Sequence, residues 1–510
     1  MKPILTPKQS AELDAAAEAR GITTESLMEN AGRAVAEACV TATGGAYGRR
    51  AVVLCGKGNN GGDGMVAARL LEREGMRTTT LLLEDPSSMR EPAVTNHERL
   101  LSETDRVRHF SETAADRELG RADVAIDAIF GTGFHGVPDG MYASAIGALN
   151  SSGTPVVAVD IPSGVDGESA MVAGDAVRAD VTVSLGTAKP GVILFPGTEF
   201  AGIVEVADIG IPPDMVASDL LLVEASDVSM ILPVREPDTN KRATGVVMVI
   251  GGSRDMTGAV CLVAEAAFRT GAGLVTIAAP EGIVPVIQER VAEATYLPLP
   301  ETPEGTVAAD AFKIVWDRMG EFDAFALGPG LSRNGETAEF ARGVAAAVPK
   351  ALVLDADGLN AFEGRAGELA DRGAPDLVLT PHDGEFARLS GIPRESIELR
   401  RVEAVRELAG TVQATVLLKG TRTLIGSLGG EVRINPTGNS ALATAGSGDV
   451  LTGAIAALLA RGLPAPDAAA AGAFVHGLAG SLAAADSGEG TTAGDLAERI
   501  PAAVLEVLSS

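Results

Sequence analysis

The sequence predicts an α/β protein of two domains, each a three-layer α/β/α sandwich around a mostly parallel sheet. The chain has 510 residues, which is more than one domain usually holds. In both halves short apolar runs alternate with helical stretches, as expected for parallel strands that are buried on both faces. A segment rich in Pro and charge, near residues 210–245, separates the two series. We therefore predict domains at residues 1–218 and 219–510.

Four apolar runs of the first half are predicted strands, and a Gly, Asp or Pro ends each of them. These runs are Ala51–Leu54, Thr79–Leu83, Val124–Ile129 and Val156–Val159. Helices are predicted between them, at Asp63–Glu74 and Met141–Leu149. Ligands of parallel sheets bind at the carboxyl ends of the strands. Three polar, Gly-bearing loops follow those ends (GKGNNGGDG, DAIFGTG and DIPSG), so we expect them to form one site.

The second half repeats the alternation with different sequences. Its predicted strands and the loops after them read VVMVIGGS, LVTIAAP, FDAFALGPG, ALVLDADGL, DLVLTPHDGE and TVLLKGTRT, and long Ala/Gly-rich helices follow. Between Asp467 and Asp486 the chain has no charged residue, but its hydrophobicity is too low for a bilayer span. We predict a helix buried against the sheet there, with His476 inside it.

The net charge and the number of cysteines limit the classes of molecule that this protein is expected to bind. The formal net charge is −27, which disfavours binding to nucleic acid or to anionic membranes. Three scattered cysteines are too few for a disulfide framework or a zinc site, so we expect reduced thiols in a cytoplasmic protein. The N-terminus lacks the apolar core of a signal peptide.

Residues 56–64 of the first loop are suited to an anion. Glycines let backbone N–H groups of the turn and of the helix start point at a phosphate. The spacing matches neither a Walker A loop nor a Rossmann GxGxxG. A single loop of this kind would most simply be a strand-to-helix turn, but the Asn pair and two partner loops favour a binding site. A carboxylate at a strand end can cap a helix, hold a cation or act as general acid or base.

These three loops together resemble the YjeF N-terminal family, the epimerase half of NAD(P)H-hydrate repair, over about residues 1–215. The resemblance implies a Rossmann-like domain in which Asp160 is the acid or base that interconverts R and S hydrates at carbon six. It also implies a K⁺ ion held by Asn60, Asp127 and Ser163, and oxygen ligands of low total charge suit a monovalent ion. The implied substrate-binding residues are Asn59, Asn60, Gly61, Gly62, Asp63, Gly131, Thr132, Gly133, Phe134, His135, Gly136, Val137 and Tyr142.

The second half carries a GSGD turn at Gly446–Asp449, within NPTGNSALATAGSGDVLTG. A Gly-rich turn that opens a helix offers backbone N–H groups and the helix dipole to a phosphate. An Asp just inside that helix can take a proton from a substrate hydroxyl. The nineteen-residue string resembles the anion hole and base of ribokinase-like enzymes.

Together with LGPGL, TPHDGEFARL, LLKGTRT and the segment Asn240–Ala259, the GSGD string resembles ADP-dependent NAD(P)H-hydrate dehydratases over about residues 225–505. The resemblance implies that Asp449 helps the ring hydroxyl attack the terminal phosphate of ADP, and that the phosphate ester then leaves. Mg²⁺ would accompany ADP. Ala259, Gly330 and His382 would contact the hydrate. The implied nucleotide-binding residues are Lys419, Gly420, Thr421, Arg422, Thr423 and Gly448.

The whole chain thus resembles a bifunctional enzyme acting on NADHX and NADPHX, in a family where homo-oligomers are usual. Two positions depart from the family pattern: Asp383 replaces Pro in PHPGE, and Ser447 replaces Thr in GTGD. We expect Asp383 to add negative charge near the phosphates. No single residue decides between ADP and ATP, and a lone His382 would more often be structural. Two alternatives remain: a ribokinase-like kinase of a small alcohol fused to a non-catalytic binding module, and a scaffold protein.

Overall fold

The computed structural model describes residues 1–509, which form two compact units. One unit comprises Pro3–Ser218. The other comprises the chain from Asp219 onward together with Met1 and Lys2, so the first two residues depart from the predicted division. The physical reason is ionic, because the Met1 ammonium pairs with Asp227 and Lys2 pairs with Glu224 at 2.8 Å.

Strand β1 (Lys2–Pro3) opens the chain, and seven parallel strands form the sheet of the N-terminal unit. They are β2 (Arg50–Cys55), β3 (Arg77–Leu82), β4 (Val107–His109), β5 (Val124–Ala128), β6 (Val156–Val159), β7 (Val181–Leu185) and β8 (Ile203–Ala207). Their order in the sheet is β4-β3-β2-β5-β6-β7-β8, with β2 central beside β3 and β5. All four predicted strands of this half are confirmed.

Eight helices belong to this unit: α1 (Pro7–Ala19), α2 (Thr24–Thr43), α3 (Asn59–Arg73), α4 (Ala93–Glu103), α5 (Glu112–Leu119), α6 (Gly140–Ser151), α7 (Pro190–Ile193) and α8 (Thr198–Ala201). Helices α2 and α3 cover one face of the sheet, and α5 and α6 cover the other. The three predicted layers are therefore present. Helix α3 begins four residues before the predicted start at Asp63, since the Asn-Asn-Gly-Gly run itself forms its first turn.

Ten further strands lie in the C-terminal unit. They are β9 (Leu220–Leu222), β10 (Val246–Ile250), β11 (Leu274–Pro280), β12 (Thr295–Leu299), β13 (Ala324–Leu327), β14 (Ala351–Leu354), β15 (Leu377–Leu379), β16 (Thr415–Leu418), β17 (Leu424–Gly426) and β18 (Val432–Ile434). The order of strands in this sheet is β1-β9-β18-β17-β16-β15-β14-β13-β10-β11-β12. The pairs β16–β17 and β17–β18 are antiparallel. The six predicted strands are confirmed, and β9, β12, β17 and β18 are additions.

Twelve helices complete this unit: α9 (Ala225–Ile231), α10 (Thr257–Thr270), α11 (Val284–Arg290), α12 (Ala311–Trp316), α13 (Gly335–Ala347), α14 (Ala356–Asn360), α15 (Asp383–Ser390), α16 (Arg394–Leu399), α17 (Arg401–Val412), α18 (Ser447–Ala460), α19 (Ala465–Ser487) and α20 (Ala493–Leu508). Helices α10, α18, α19 and α20 share one core with alternate strand residues such as Ile425. Helix α17 packs on the other face, where a Cβ at Gly426 would lie 2.4 Å from Val405.

The uncharged segment forms the long helix α19. By length and composition, Ala465–Gly490 would suffice to cross a membrane, but 72% of its apolar window is buried inside the protein. It packs against α18 and α20. The prediction of a buried helix is confirmed. Its Ala and Gly residues allow neighbouring helices to approach closely, whereas larger side chains would separate them.

Candidate active sites

The three loops of the N-terminal unit meet at the carboxyl edge of its sheet through very close backbone contacts. A Cβ on Gly61 would lie 2.0 Å from the carbonyl oxygen of Gly56, and one on Gly56 would lie 2.1 Å from that of Ile129. No larger residue fits at either place. The glycines thus serve to bring the start of α3 against the loop after β5, which leaves the N-terminus of α3 open to a ligand.

The three residues predicted to hold K⁺ lie together around the backbone of Phe130. The Asp127 carboxylate accepts hydrogen bonds from the Ser163 hydroxyl (2.6 Å) and the Ser163 N–H (2.7 Å). The Ser163 hydroxyl in turn accepts from the Phe130 N–H at 2.9 Å, and the Asn60 amide donates to the Phe130 carbonyl at 2.8 Å. All three predicted residues are buried. Burial raises the pKa of Asp127 to about 6, although the bonds from Ser163 oppose that rise.

This group of side chains fits a monovalent cation. It combines one carboxylate with a hydroxyl, a backbone carbonyl and a side-chain amide, all oxygen-bearing and with a single formal charge between them. Asn60 can present its amide oxygen after rotation of the group, since oxygen and nitrogen are assigned from the hydrogen-bond network. Hard oxygen ligands of this kind suit alkali and alkaline-earth ions.

Asp160 forms a buried ion pair with Lys189, a residue that the sequence analysis did not single out. The Asp160 carboxylate accepts from the Lys189 ammonium at 2.5 Å and from the Leu185 N–H at 3.0 Å. Lys189 is 2% exposed and also donates to the Leu185 carbonyl at 2.6 Å. Asp160 has a φ of +66°, which non-Gly residues rarely adopt and which is found at functional sites. Lys189 follows strand β7 in the string GTAKPG, and this position after a strand end is the feature of the sequence that could have identified it as a site residue.

A cavity of about 260 Å³ opens beside this ion pair. Its charged lining residues are Asp14, Asp63, Asp160 and Lys189. Asp63 is 6% exposed, and within residues 1–509 its carboxylate has no hydrogen-bonding partner. Burial raises the pKa of Asp63 well above its ordinary value, and Asp160 and Asp14 raise it further. The cavity therefore places a carboxyl group that favours its protonated form near a carboxylate that is paired with an ammonium.

The structure brings together some of the predicted substrate-binding residues and not others. Asn59, Asn60, Asp63, Gly131 and Thr132 line the cavity with Asp160. Gly61 and Gly62 lie in the first turn of α3 behind them.

The remaining predicted residues are not among those that line the cavity; they are Gly133, Phe134, His135, Gly136, Val137 and Tyr142. The Phe134 ring stacks on Phe130, with ring centres 4.5 Å apart, and the Tyr142 hydroxyl donates to Glu84 at 2.6 Å. His135 contacts Asp166 at 2.7 Å on an exposed surface. These contacts order the loop after β5 without reaching Asp160.

In the C-terminal unit, Ala259 and Gly330 adjoin each other at the carboxyl edge of the sheet. A Cβ on Gly330, which has a φ of +71°, would lie 3.2 Å from the Ala259 Cβ. Gly328 approaches the backbone of Asp355 so closely that a Cβ would lie 1.9 Å from its carbonyl oxygen. The backbones of the loops after β13 and β14 are therefore in direct contact next to the start of α10.

Lys419 lies at the centre of a group of carboxylates next to the GSGD turn. Its ammonium donates to Asp355 at 2.6 Å, and the other Asp355 oxygen accepts from the Thr452 hydroxyl at 2.6 Å. A Cβ at Gly448 would lie 3.1 Å from the Lys419 Nζ, so the ammonium reaches the turn that opens α18. Its proximity to that turn suits a phosphate, because it adds a full charge to the backbone N–H groups.

The carboxyl groups near Lys419 influence one another's titration. Burial raises the pKa of Asp449 to about 7, with further upward contributions from Asp355 and Glu385 and a downward one from Lys419. Burial likewise raises the pKa of Glu385, against the effect of Lys419. A carboxyl group whose pKa lies near neutrality can both accept and return a proton. The pKa of Asp449 is therefore suited to proton transfer near pH 7.

The GSGD turn is held from behind by α19. His476 Nε2 lies 2.9 Å from the Ser447 carbonyl oxygen, and burial lowers the pKa of His476 to about 4. The imidazole is therefore neutral near pH 7 and donates to that carbonyl. The Ser447 hydroxyl donates to the Leu442 carbonyl at 2.8 Å. Gly446 takes a φ of +89°, which directs the chain into α18.

His382 and Asp383 occupy the start of α15. His382 Nδ1 accepts from the N–H of Gly384 at 3.0 Å, so the ring caps the helix, and this is the structural role that a lone histidine would most often have. Asp383 pairs with Arg401 at 2.8 Å, and Arg401 also donates to the Lys419 carbonyl. The negative charge that we expected Asp383 to add near the phosphates is therefore offset by Arg401.

The predicted nucleotide-binding loop Lys419–Thr423 joins β16 to β17 as an irregular turn. Gly420 has a φ of +141° and Arg422 a φ of +59°. The Thr423 hydroxyl donates to the Gly420 carbonyl at 3.1 Å, and Arg422 donates to the Pro436 carbonyl at 2.8 Å. The loop is thus shaped by its own contacts, with the Lys419 side chain directed towards Asp355.

Five residues at the two sites were not identified from sequence: Asp14 and Lys189 in the N-terminal unit, and Asp355, Glu385 and Thr452 in the C-terminal unit. Asp355 had the clearest sequence signal, since it directly follows strand β14 in DADGL, just as Asp160 directly follows β6. Asp14 carried no local signal, because it lies on α1, far along the chain from the loops that it faces.

The chain is a two-domain α/β protein whose C-terminal unit has the fold of a ribokinase-like protein. A ribokinase-like superfamily protein from Enterococcus faecalis V583 superposes with a TM-score of 0.51 at 24% identity, covering 58% of this chain and 99% of its own. Residues 24–191 match the family model described as YjeF-related protein N-terminus, and residues 247–502 match the model described as NAD(P)H-hydrate dehydratase.

Curated relatives extend the match to nearly the whole chain. The Bifunctional NAD(P)H-hydrate repair enzyme Nnr of Moorella thermoacetica is 42% identical over 93% of this chain and 91% of its own length. Its namesake from Thermofilum pendens is also 42% identical, over 96% of this chain and 93% of its own. The chain belongs to the family of bifunctional NAD(P)H-hydrate repair enzymes.

Proposed function

We propose that this protein repairs hydrated NADH and NADPH at two separate sites. Residues 1–218 are the epimerase that interconverts the R and S forms of NAD(P)HX. Residues 219–510 are the dehydratase that uses ADP to convert the S form to NAD(P)H. The observation that carries the proposal is the match of the whole chain to bifunctional repair enzymes, at 42% identity. Both sites also retain a buried carboxylate next to glycine-lined backbone donors.

At the epimerase site we assign opposite roles to Asp160 and Asp63. Inversion at carbon six requires a proton for the departing hydroxyl and a base for the water that adds to the other face. Two carboxyl groups whose environments differ are the usual arrangement for such a division of work. Asp63, whose pKa burial raises, donates the proton, and Asp160, paired with Lys189, accepts one from the incoming water. Asn59 and Thr132 line the same cavity and are assigned to the substrate.

Asn60, Asp127 and Ser163 are assigned to K⁺, together with the carbonyl of Phe130. A bound cation would supply positive charge near the phosphates of the substrate. The chain's own residues contribute the rigid connection between the loops after β2, β5 and β6, because Ser163 bonds both to Asp127 and to Phe130.

At the dehydratase site Asp449 takes the proton of the hydrate's hydroxyl as that oxygen attacks the terminal phosphate of ADP. AMP leaves as the phosphate ester forms at carbon six, and elimination of phosphate from carbon six with loss of a proton from carbon five then restores the reduced nicotinamide. Lys419 and the N–H groups of the GSGD turn hold the phosphates, and His476 keeps that turn in place. Ala259, Gly330 and His382 are assigned to the hydrate, and Lys419–Thr423 with Gly448 to the nucleotide.

Mg²⁺ would accompany the nucleotide, and the carboxyl groups around Lys419 fit this assignment. In nucleotide sites the ligands of Mg²⁺ are usually one or two carboxylates together with phosphate oxygens. Both Asp355 oxygens accept from Lys419 and Thr452, and a Glu385 oxygen accepts from the His382 N–H at 3.0 Å. Within residues 1–509 this leaves Asp449 as the carboxylate of the group without a hydrogen-bonding partner. The proposal keeps the cytoplasmic location and the homo-oligomeric state that we predicted from sequence.

The titration of Asp449 leads to a prediction about pH. Glu385→Gln removes a negative charge that raises the pKa of Asp449, so this pKa should fall below about 7. Because the base form is the active one, the acid limb of kcat/KM for dehydration should move to lower pH, by up to about one unit. Glu395→Gln, an exposed change on α16, is the matched control and should leave the midpoint in place. A shift to higher pH would contradict the assignment of Asp449 as base.

A direct assay tests the proposed function. Resolved R and S hydrates are incubated with the protein and with ADP, ATP or no nucleotide, and absorbance of the reduced nicotinamide is followed. We expect recovery from S when nucleotide is present, and slower recovery from R that passes through the S form. Consumption of nucleotide on a small alcohol with no recovery would identify the kinase alternative instead. A scaffold would give neither signal.

A further inference from the structure

Another cavity in the N-terminal unit is lined by ten residues, six of which are arginine. It has a volume of about 340 Å³ and lies at the amino ends of β2, β3 and β4. Because these strands are parallel, that edge is opposite the one that carries Asp160. The arginines that line it, the arginine cavity, are Arg50, Arg77, Arg106, Arg108, Arg117 and Arg121. Glu118 is the only carboxylate among the lining residues.

The six cations are far from fully neutralised by the protein. Arg106 pairs with Glu72 and donates to the Thr78 carbonyl at 2.9 Å. Arg108 and Arg117 share Glu118, at 3.8 Å and 2.8 Å.

Within residues 1–509 the side chains of the other three, Arg50, Arg77 and Arg121, form no hydrogen bond and no ion pair within 4 Å, and Arg50 has a longer-range electrostatic interaction with Asp123. The cavity therefore carries a surplus of positive charge.

This surplus is unusual for the chain as a whole. The sequence has 68 acidic and 41 basic residues, so an exposed arginine has many carboxylates available as partners. Like charges brought together repel, even at a solvated surface. A bound anion would compensate the positive charge of such a group of arginines. A cleft lined by charges of one sign concentrates ions of the other sign.

The geometry selects a particular kind of anion. The arginines lie at the starts of β2 and β3, just before and within β4, on α5 and in the turn after α5, and all six line one space. The planar guanidinium fork pairs with two phosphate oxygens at once. The floor is formed by Ala51, Val52 and Thr79, which leaves room for a small ligand only. A nucleic acid would have to approach a protein of net charge −27.

We propose that the arginine cavity binds a small oligophosphate, that is, a phosphoanhydride chain that is either free or carried by a nucleotide. This site is separate from both proposed catalytic sites, and its existence does not depend on either activity. Arg77 and Arg121 hold the anion most directly, because no carboxylate competes for them.

Calorimetric titration with pyrophosphate and with tripolyphosphate tests the proposal on the full-length protein at low ionic strength. The double variant R77Q/R121Q is compared with R33Q/R90Q, which removes two exposed arginines of the same unit that do not line the cavity. We expect R33Q/R90Q to bind like the unaltered protein and R77Q/R121Q to bind roughly tenfold more weakly or worse. Added salt should weaken binding, since exposed charges are screened.

Parallel titrations with ADP separate the two sources of the anion. A component that R77Q/R121Q weakens, and that is tighter for ADP than for pyrophosphate, would assign the cavity to a nucleotide. Tighter binding of free pyrophosphate would assign it to the free anhydride. Melting curves establish that both variants are folded. No binding of either oligophosphate to the unaltered protein, or equal affinity in the two double variants, would overturn the proposal.

Discussion

Asp449→Asn should reduce the rate of ADP-dependent dehydration by about 10²- to 10⁴-fold, the usual contribution of a general acid or base. The amide cannot take the proton of the ring hydroxyl, although it keeps the shape of the carboxylate next to Lys419 and the GSGD turn. The measurement is the initial rate of reduced-nicotinamide recovery from the S hydrate with saturating ADP.

Epimerisation by the same variant is the internal control, and it should proceed at the unaltered rate. It is followed by the conversion of resolved R hydrate to S in the absence of nucleotide. Loss of both activities in a folded Asp449→Asn protein would count against two separate sites. Retained dehydration would remove Asp449 from the role of base.

Asp160→Asn should leave the R half of a racemic hydrate unrepaired, while the S half is dehydrated normally. The epimerase rate should fall by about 10²- to 10⁴-fold, because the amide cannot accept a proton from water. The measurement is the fraction of racemic NADHX that is converted to NADH in an excess of ADP. Complete repair at the unaltered rate would show that another group performs this step.

A matched variant separates chemistry from folding. Asp160→Asn leaves the Lys189 ammonium buried without its carboxylate, and breaking a buried pair in this way costs about 3–5 kcal/mol of stability. Asp160→Asn combined with Lys189→Met removes both charges and should recover much of that stability. It should nevertheless remain deficient in epimerisation. If the double variant regained activity, the defect of the single one would lie in folding.

The sequence was sufficient to predict the loops that form both sites. The three loops of the N-terminal unit were expected to meet because they follow the carboxyl ends of parallel strands. The residues that the family resemblance implied, Asn60, Asp127 and Ser163, do lie around Phe130. The Gly131–Val137 segment shows the limit of such reasoning. Gly131 and Thr132 line the cavity, but Phe134 stacks on Phe130 and His135 contacts Asp166. The direction of a side chain within an irregular loop depends on contacts that are made across the fold.

The family membership, the two α/β/α units and the glycine-lined strand ends were determined by the sequence itself, because apolar runs and tight turns are local properties. Only the tertiary structure decided which charges face each other. Lys189 pairs with Asp160, Lys419 with Asp355, and Arg401 neutralises Asp383, in each case across 18 or more residues of chain. The six arginines of the arginine cavity also come together only in the fold, where the amino ends of β2, β3 and β4 lie next to α5. Electrostatic interactions depend on distance and burial in three dimensions, and neither quantity can be obtained from spacing along the chain.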